Sequence, residues 1–335
     1  MINRSNNRIE YLDISKAIAI ILVIIGHAIQ FSNGLAYRMS ESFYYNLAFK
    51  IIYSFHMPLF MLITGYFTWG SYKKHGGRKL LINRIKDLLP PILFWGTILC
   101  LLDLLSHEYS ISKMLGNYSG TLWFFISIIL CTACITICEK SRYSLLLYLL
   151  ILVAAHLTPG LQLHKFMYTF FIAGFLIAKH AIPILPDNSR KYRTITVISI
   201  FVWLFCLSVF NDNTYIYRSG VTLLQPWAIL SFRKQIEVVI IRYIAGFAGS
   251  FAIIGFSRWF YETGMPSKLI LNIGKITKEI YIIQMITFTR FVSPVLSNYQ
   301  WSLTRTIIVS MAMLILCVCL TSFLKRFRRL NRIIV

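Results

Sequence analysis

The stretch DISKAIAIILVIIGH, Asp13 to His27, is an apolar run that carries Asp13 and Lys16 at its start and His27 at its far end. With its flanks it has the roughly twenty apolar residues that a membrane-crossing helix needs. Lys16 and His27 are eleven residues apart. In a helix that is about three turns, on one face, and about 16 Å along the axis. Ionisable groups in a membrane span cost free energy, and by default they face the protein interior and mark a functional site. Each has a plainer reading. Lys16 can snorkel its ammonium to cytoplasmic head groups, and Asp13 can cap the helix by accepting a backbone N–H. His27 lies too deep to snorkel. It is a buried histidine satisfied by a neighbour or, the reading we prefer, a catalytic base or proton relay, since imidazole exchanges a proton near neutral pH.

The rest of the chain fits a membrane setting. Of 335 residues, 57% are hydrophobic, 15% aromatic and only 14% charged, with a mean hydropathy of +0.66. Soluble domains are usually nearer a quarter charged. Arg4 and Arg8 precede the first apolar run as in a signal peptide, but that run is too long and no small-residue cleavage site follows, so it reads as a retained first span. All seven cysteines fall in apolar segments. They imply no disulfide framework, and Cys131, Cys134 and Cys138 read as packing residues, so no metal site is expected.

Apolar windows place spans near 14–31, 47–70, 88–105, 121–138, 145–157, 166–181, 194–211, 237–257, 279–297 and 304–324. The expected fold is all-α: a polytopic bundle of about ten transmembrane helices forming one domain over residues 1–335. With a cytoplasmic N-terminus, the inside segments hold Arg4 and Arg8, the basic residues between Lys73 and Lys86, Lys140 and Arg142, Arg190 to Arg193, Arg258 to Lys278, and the tail from Lys325. The outside loops hold Arg38, Lys113, Lys165, Arg218, Arg233 and Lys234, a ratio of 22 to 6. This is the positive-inside pattern with both termini cytoplasmic. The net charge of +22 is therefore a topology and head-group signal, with the lipid bilayer as partner and no nucleic acid.

The second span carries FHMPLF, with His56 and Pro58. A proline there removes a backbone donor and crowds the carbonyl of Ser54, so a kink and a free carbonyl are expected. His56 and His27 should lie at matching depth and wall one polar pocket. Gly65 reads as a close-packing position. Arg242 and Arg290 lie deep enough to need a partner, an anionic ligand or water. Trp123, opening TLWFF, is an interfacial anchor or a site residue. The outside loop near 212–236, with Tyr215, Tyr217, Pro226 and Trp227, is an interfacial half-helix or an acceptor-binding lip. Gly274-Lys275-Ile276 lacks the rest of a phosphate loop, His107-Glu108 has no second histidine at zinc-protease spacing, and the Asn117 glycosylation triplet is a short pattern common by chance.

These segments resemble the acyltransferase 3 family of membrane enzymes, which O-acylate sugars of bacterial cell envelopes. The likeness rests on YLDISKAIAIILVIIGHA (Tyr11–Ala28), FHMPLFMLITGYF (Phe55–Phe67), TLWFFISIIL (Thr121–Leu130) and IGKITKEIYIIQ (Ile273–Gln284), in family order over nearly the whole chain. Two positions depart: the opening basic residue is usually arginine and here is Lys16, and the late segment often ends in histidine where this chain has Gln284. The resemblance implies an acyltransferase of the bacterial cytoplasmic (inner) membrane with no bound cofactor, acetyl-CoA as donor and a glycan hydroxyl as acceptor. On that basis Lys16 meets a CoA phosphate with Asp13 orienting it, His27 is the general base, and His56 assists or binds the acceptor. Trp123, Arg242 and Arg290 complete the expected substrate and CoA contacts. The alternative is a transporter or flippase for a glycolipid or small solute, with both histidines as proton relays. The crowding of polar motifs into the first two spans, without internal symmetry, favours the enzyme.

Overall fold

A computed structural model describes residues 9–107, 109–224, 230–327 and 333–334. Eleven helices carry the described architecture: α1 Glu10–Phe31, α2 Leu47–Leu105, α3 Ile111–Ser119, α4 Trp123–Cys138, α5 Ser144–Leu157, α6 Gln162–Lys179, α7 Ser189–Val209, α8 Phe232–Glu262, α9 Lys268–Lys275, α10 Thr277–Thr287 and α11 Leu303–Leu324. Five begin at a side-chain cap: Asn46, Ser110, Asn188, Ser267 and Ser302 each accept the backbone N–H three residues on, satisfying a donor that has no partner within the helix. Asp13 is not such a cap. α1 starts three residues earlier with Ile9 as N-cap, and Asp13 sits in its first turn, where its charge favours the helix dipole.

α2 departs from the expected pair of spans. The basic stretch 71–87, expected as a loop, is helical, and α2 runs for 59 residues broken only at Gly76 (φ +74°, ψ 164°). That left-handed backbone is cheap for glycine alone among the residues. The chain stays helical through Pro58, so the expected kink does not interrupt it there. Among the described residues, five helices (α1, α2, α7, α8, α11) are long and apolar enough to cross a membrane, or six if α3 and α4, bent by 64°, form one broken span. Each of the ten expected spans overlaps a helix, but ten separate crossings are not established by helix length and composition. α2, about 88 Å long at 1.5 Å per residue, has the length for two.

α1 is the axis. Its apolar window is 67% buried, against 17% for α7 and 22% for α11, which turn Ile198, Phe201, Phe205, Ile308, Met311 and Ile315 outward. Such outward apolar side chains suit hydrocarbon, and helices leave no backbone group unpaired against it. α2 and α6 cross with backbones in contact: a Cβ on Gly65 would lie 2.0 Å from the Phe171 carbonyl oxygen, and one on Gly174 2.0 Å from that of Leu62. Glycine is what permits this approach, in keeping with the close-packing role expected of Gly65. Gly274 likewise seats α9 on the start of α1, its absent side chain replaced by the Asp13 carbonyl at 2.0 Å. This seat brings the start of α10 beside Lys16.

Candidate active site

The face of α1 that holds Lys16, Ile20 and Val23 lines a cavity shared with α2, α4 and α10. These positions recur at helical spacing, and His27 is the next residue along the same face. The cavity encloses about 690 Å³ of empty space including its mouth, of which about 160 Å³ admits the centre of a water molecule. Its walls are apolar and aromatic (Met57, Phe60, Phe124, Phe125, Tyr281), while its mouth gathers Lys16, Arg84 and Lys278. Asp13 pairs with Lys16 at 2.8 Å, and Asp87 with Lys278 at 2.9 Å. Arg84 is different: its Nε is buried with no hydrogen-bond partner among the described residues. Desolvation lowers its pKa from the ordinary arginine value, opposed in part by Asp87. A guanidinium whose Nε is buried and unbonded gains from an anionic ligand. α10 adds its uncapped N-terminus, with Thr277 and Lys278 on the cavity wall, where free N–H groups and the helix dipole favour negative charge.

His27 itself lines neither this cavity nor the cleft around His56; one turn beyond Val23 on α1, its Nδ1 lies 2.7 Å from Gln284 Oε1. The orientation of that amide follows from its own network. Gln284 Nε2 donates to the Tyr281 carbonyl at 3.2 Å, so Oε1 is left to accept and His27 Nδ1 carries the proton. The lone pair then sits on Nε2, the tautomer a base requires. Phe31 and Phe288 pack edge-on against the ring at 5.7 and 6.1 Å, restricting its rotation. Gln284 itself is fully buried.

His56 follows Ile52 and Tyr53 on α2, the two side chains that meet Gly26, the chain neighbour of His27 on α1, so both histidines lie along the α1–α2 contact. His56 Nδ1 donates to the Ile52 carbonyl at 2.7 Å, so its Nε2 also carries a lone pair. Tyr53 stacks edge-on against His56 at 4.8 Å and donates its hydroxyl to Gln30 of α1 at 2.8 Å. The ring passes over Gly26, where a Cβ would come within 2.9 Å of Tyr53.

His56, Trp123 and Arg242 meet in a second cleft, walled by Tyr53, Tyr215 and Tyr217. Met57 lines both this cleft and the cationic cavity, so the two come close to one another at that side chain. Trp123 is thus a cleft residue, held near His164 (6.3 Å), which is itself bonded to Ser127 at 2.7 Å. The outside loop is no interfacial half-helix in its described part. It folds inward, with Tyr215 buried between two short helical turns at Asp212–Thr214 and Ile216–Ser219 ahead of the start of α8; Pro226 and Trp227 lie outside the described residues. Arg290 lines neither cavity. It bonds Asp103 at 2.8 Å and Asn117 at 2.7 Å, and Asn117 closes the triangle on Asp103 at 2.7 Å. The glycosylation-like Asn117 is therefore an internal strut.

A family model described as an acyltransferase domain matches residues 9–322. The chain belongs to the acyltransferase 3 family. Among curated proteins it is similar to Nodulation protein NolL of Mesorhizobium japonicum, 28% identical over 99% of this chain and 91% of that one. It is also similar to Nodulation protein NolL of Sinorhizobium fredii, 26% identical over 85% of this chain and 79% of that one. No solved structure matches. An acyltransferase with membrane-type helices is thus the class within which the two cavities are to be understood.

Three contributors escape the sequence patterns. Gln284 stands where the family resemblance implies histidine, which gives no reason to assign it a role. Arg84 and Lys278 look like two more inside charges. The one signal for Gln284 is a fully polar side chain inside an apolar helix, which needs a partner.

Proposed function

We propose that this protein is an integral membrane O-acyltransferase that moves an acetyl group from acetyl-CoA to a sugar hydroxyl of a cell-envelope or exopolysaccharide glycan. The observation that carries the reading is the continuous face Lys16–Ile20–Val23 inside a cavity with a cationic mouth, with His27 next on that face. CoA is polyanionic at one end and bears its thioester at the end of a flexible, mostly apolar arm. Its phosphates suit Lys16, Arg84, Lys278 and the start of α10. Its arm suits the apolar walls leading to His27.

In the reaction, His27 Nε2 takes the proton of the acceptor hydroxyl as that oxygen attacks the thioester carbonyl carbon. The C–S bond breaks, the acyl ester forms on the sugar, and the departing CoA thiolate takes the proton back from His27. Gln284 holds the Nδ1–H throughout and stabilises the transient imidazolium by its carbonyl dipole. His56 assists from the second cleft. Direct transfer is preferred to an acyl-histidine intermediate because a base on Nε2 needs no further step.

The basic residues at the cavity mouth fall in segments assigned to the cytoplasmic side by the positive-inside rule, so donor entry is from the cytoplasm. The accompanying topology is about ten crossings of the inner membrane with both termini inside, α2 supplying two of them around Gly76. The test is purified protein with acetyl-CoA: wild type binds and slowly hydrolyses it, and His27→Ala abolishes turnover while still binding. Mass spectrometry of envelope glycans with and without the gene identifies the lost acyl group. A well-expressed His27→Ala protein that still acetylates glycan refutes the assignment.

A further inference from the structure

We infer that the cleft between His56 and the 210–217 segment is the acceptor subsite, and that it takes a neutral sugar ring between aromatic faces. The inference rests on the acyltransferase reading and goes further in naming where the acceptor sits and what it must be. Three observations carry it. First, the cleft shares Met57 with the cationic cavity and otherwise has a lining of its own that includes His56, so an occupant reaches His56 without displacing the donor. Second, its lining pairs aromatic surfaces of Tyr53, Trp123 and Tyr217 with the Nε2 lone pair of His56. A pyranose presents apolar C–H faces and a polar hydroxyl edge, and amphipathic aromatics with one polar acceptor match both.

Third, the charge in the cleft is already used. Arg242 is buried, and all three guanidinium nitrogens are engaged by the loop: Nε to the Thr214 carbonyl at 2.7 Å, Nη1 to that of Gly220 at 2.5 Å, and Nη2 to Ser219 Oγ at 2.7 Å and the Asn213 carbonyl at 3.3 Å. Gln235 adds bonds to the carbonyls of Ser219, Gly220 and Thr222 at 2.9 to 3.3 Å. Arg242 is thus a positioning residue: it fixes the loop that presents Tyr215 and Tyr217, and it has little to offer a carboxylate or phosphate. An uncharged sugar follows. The cleft holds about 420 Å³ including its mouth, but only about 30 Å³ admits a water centre. The interior thus has room for a water or two, and the ring is held at the mouth, where Tyr217 is 57% exposed.

The experiment uses purified full-length protein in nanodiscs with acetyl-CoA and, as acceptors, methyl glycosides of neutral hexoses, N-acetylhexosamines and hexuronic acids. Tyr217→Ala and Arg242→Lys should each raise the KM for a neutral glycoside about tenfold or more while the acetyl-CoA KM moves less than about twofold. Tyr217→Phe keeps the ring and should restore the wild-type value. The hexuronic acids should be the poorest acceptors. Unchanged sugar KM in Tyr217→Ala, equal rises in both KM values, or a preference for hexuronic acids overturns the inference. A wild type that hydrolyses acetyl-CoA but acetylates no glycoside also overturns it, leaving the donor reading intact. A wild type that neither binds nor hydrolyses acetyl-CoA overturns the wider reading instead.

Discussion

Replacing Gln284 by leucine should cripple the chemistry without weakening donor binding. The two side chains are similar in size, so the buried site stays filled, but His27 Nδ1 loses the oxygen 2.7 Å away. A buried N–H left without an acceptor costs roughly 1–3 kcal/mol. The imidazole escapes that cost by moving its proton to Nε2, which removes the lone pair from the atom that must accept the acceptor's proton. The Oε1 dipole facing the ring as it becomes positive is lost as well, and this is an interaction realised in the transition state. At about 1.4 kcal/mol per factor of ten, the loss amounts to roughly fivefold to a hundred-and-fifty-fold in kcat. Because Gln284 lines neither cavity, the acetyl-CoA KM should stay near wild type, so kcat and kcat/KM fall together. Gln284→Glu keeps an oxygen acceptor at the same reach and should retain much more activity than the leucine variant. The assay is steady-state release of CoA thiol over a range of acetyl-CoA concentrations, on protein shown to be folded by its elution and thermal profile. A folded Gln284→Leu enzyme with kcat within twofold of wild type would refute the tautomer argument, and so would a raised donor KM at unchanged kcat.

The cationic mouth and the internal strut give contrasting expectations. Arg84→Ala removes a charged donor whose Nε has no partner among the described residues, so it should raise the acetyl-CoA KM roughly tenfold to a hundredfold, the worth of one or two charge-assisted hydrogen bonds. Arg84→Lys should recover only part of this, and a donor lacking the 3′-phosphate should lose less in the Arg84 variants than in wild type if that phosphate is the group met. Asp103→Ala leaves Arg290 with Asn117 alone and should cost about 2 kcal/mol of stability. That is less than a fully buried broken pair, because the Arg290 side chain is 27% exposed. It should appear as a lower thermal midpoint in detergent with the donor KM unchanged; a large KM change would mean that Arg290 serves the substrate after all.

What is legible in the sequence follows the periodicity of helices. Lys16, Ile20, Val23 and His27 share a face because 3.6 residues make a turn, so their spacing alone traces the path along α1. The expectation that His27 and His56 share one depth follows from loop charges, and the close packing at Gly65 from the need of membrane helices to approach on small residues. The missing parts depend on contacts remote in sequence. Gln284 stands 257 positions from His27, and Arg84 matters because a helix takes the place of the expected loop and buries its Nε. Arg242 shows the same limit in the other direction. Its depth demands a partner, and a ligand is one expectation, but the partner is a run of carbonyls on a loop whose fold no local pattern announces.

That division bears on how two substrates of opposite character can share one base. A polyanionic donor needs cations, whereas a neutral acceptor in the same space would compete with water and phosphate for them. Here the cations of the first cavity lie along α1 and the starts of α10 and of the second arm of α2, while the arginine of the second cleft is saturated by its own loop. Met57 is the partition common to both. On the proposed reaction, separating charge recognition from ring recognition in this way leaves His27 among aromatic rings, where a single fixed dipole such as that of Gln284 acts with little competition from solvent.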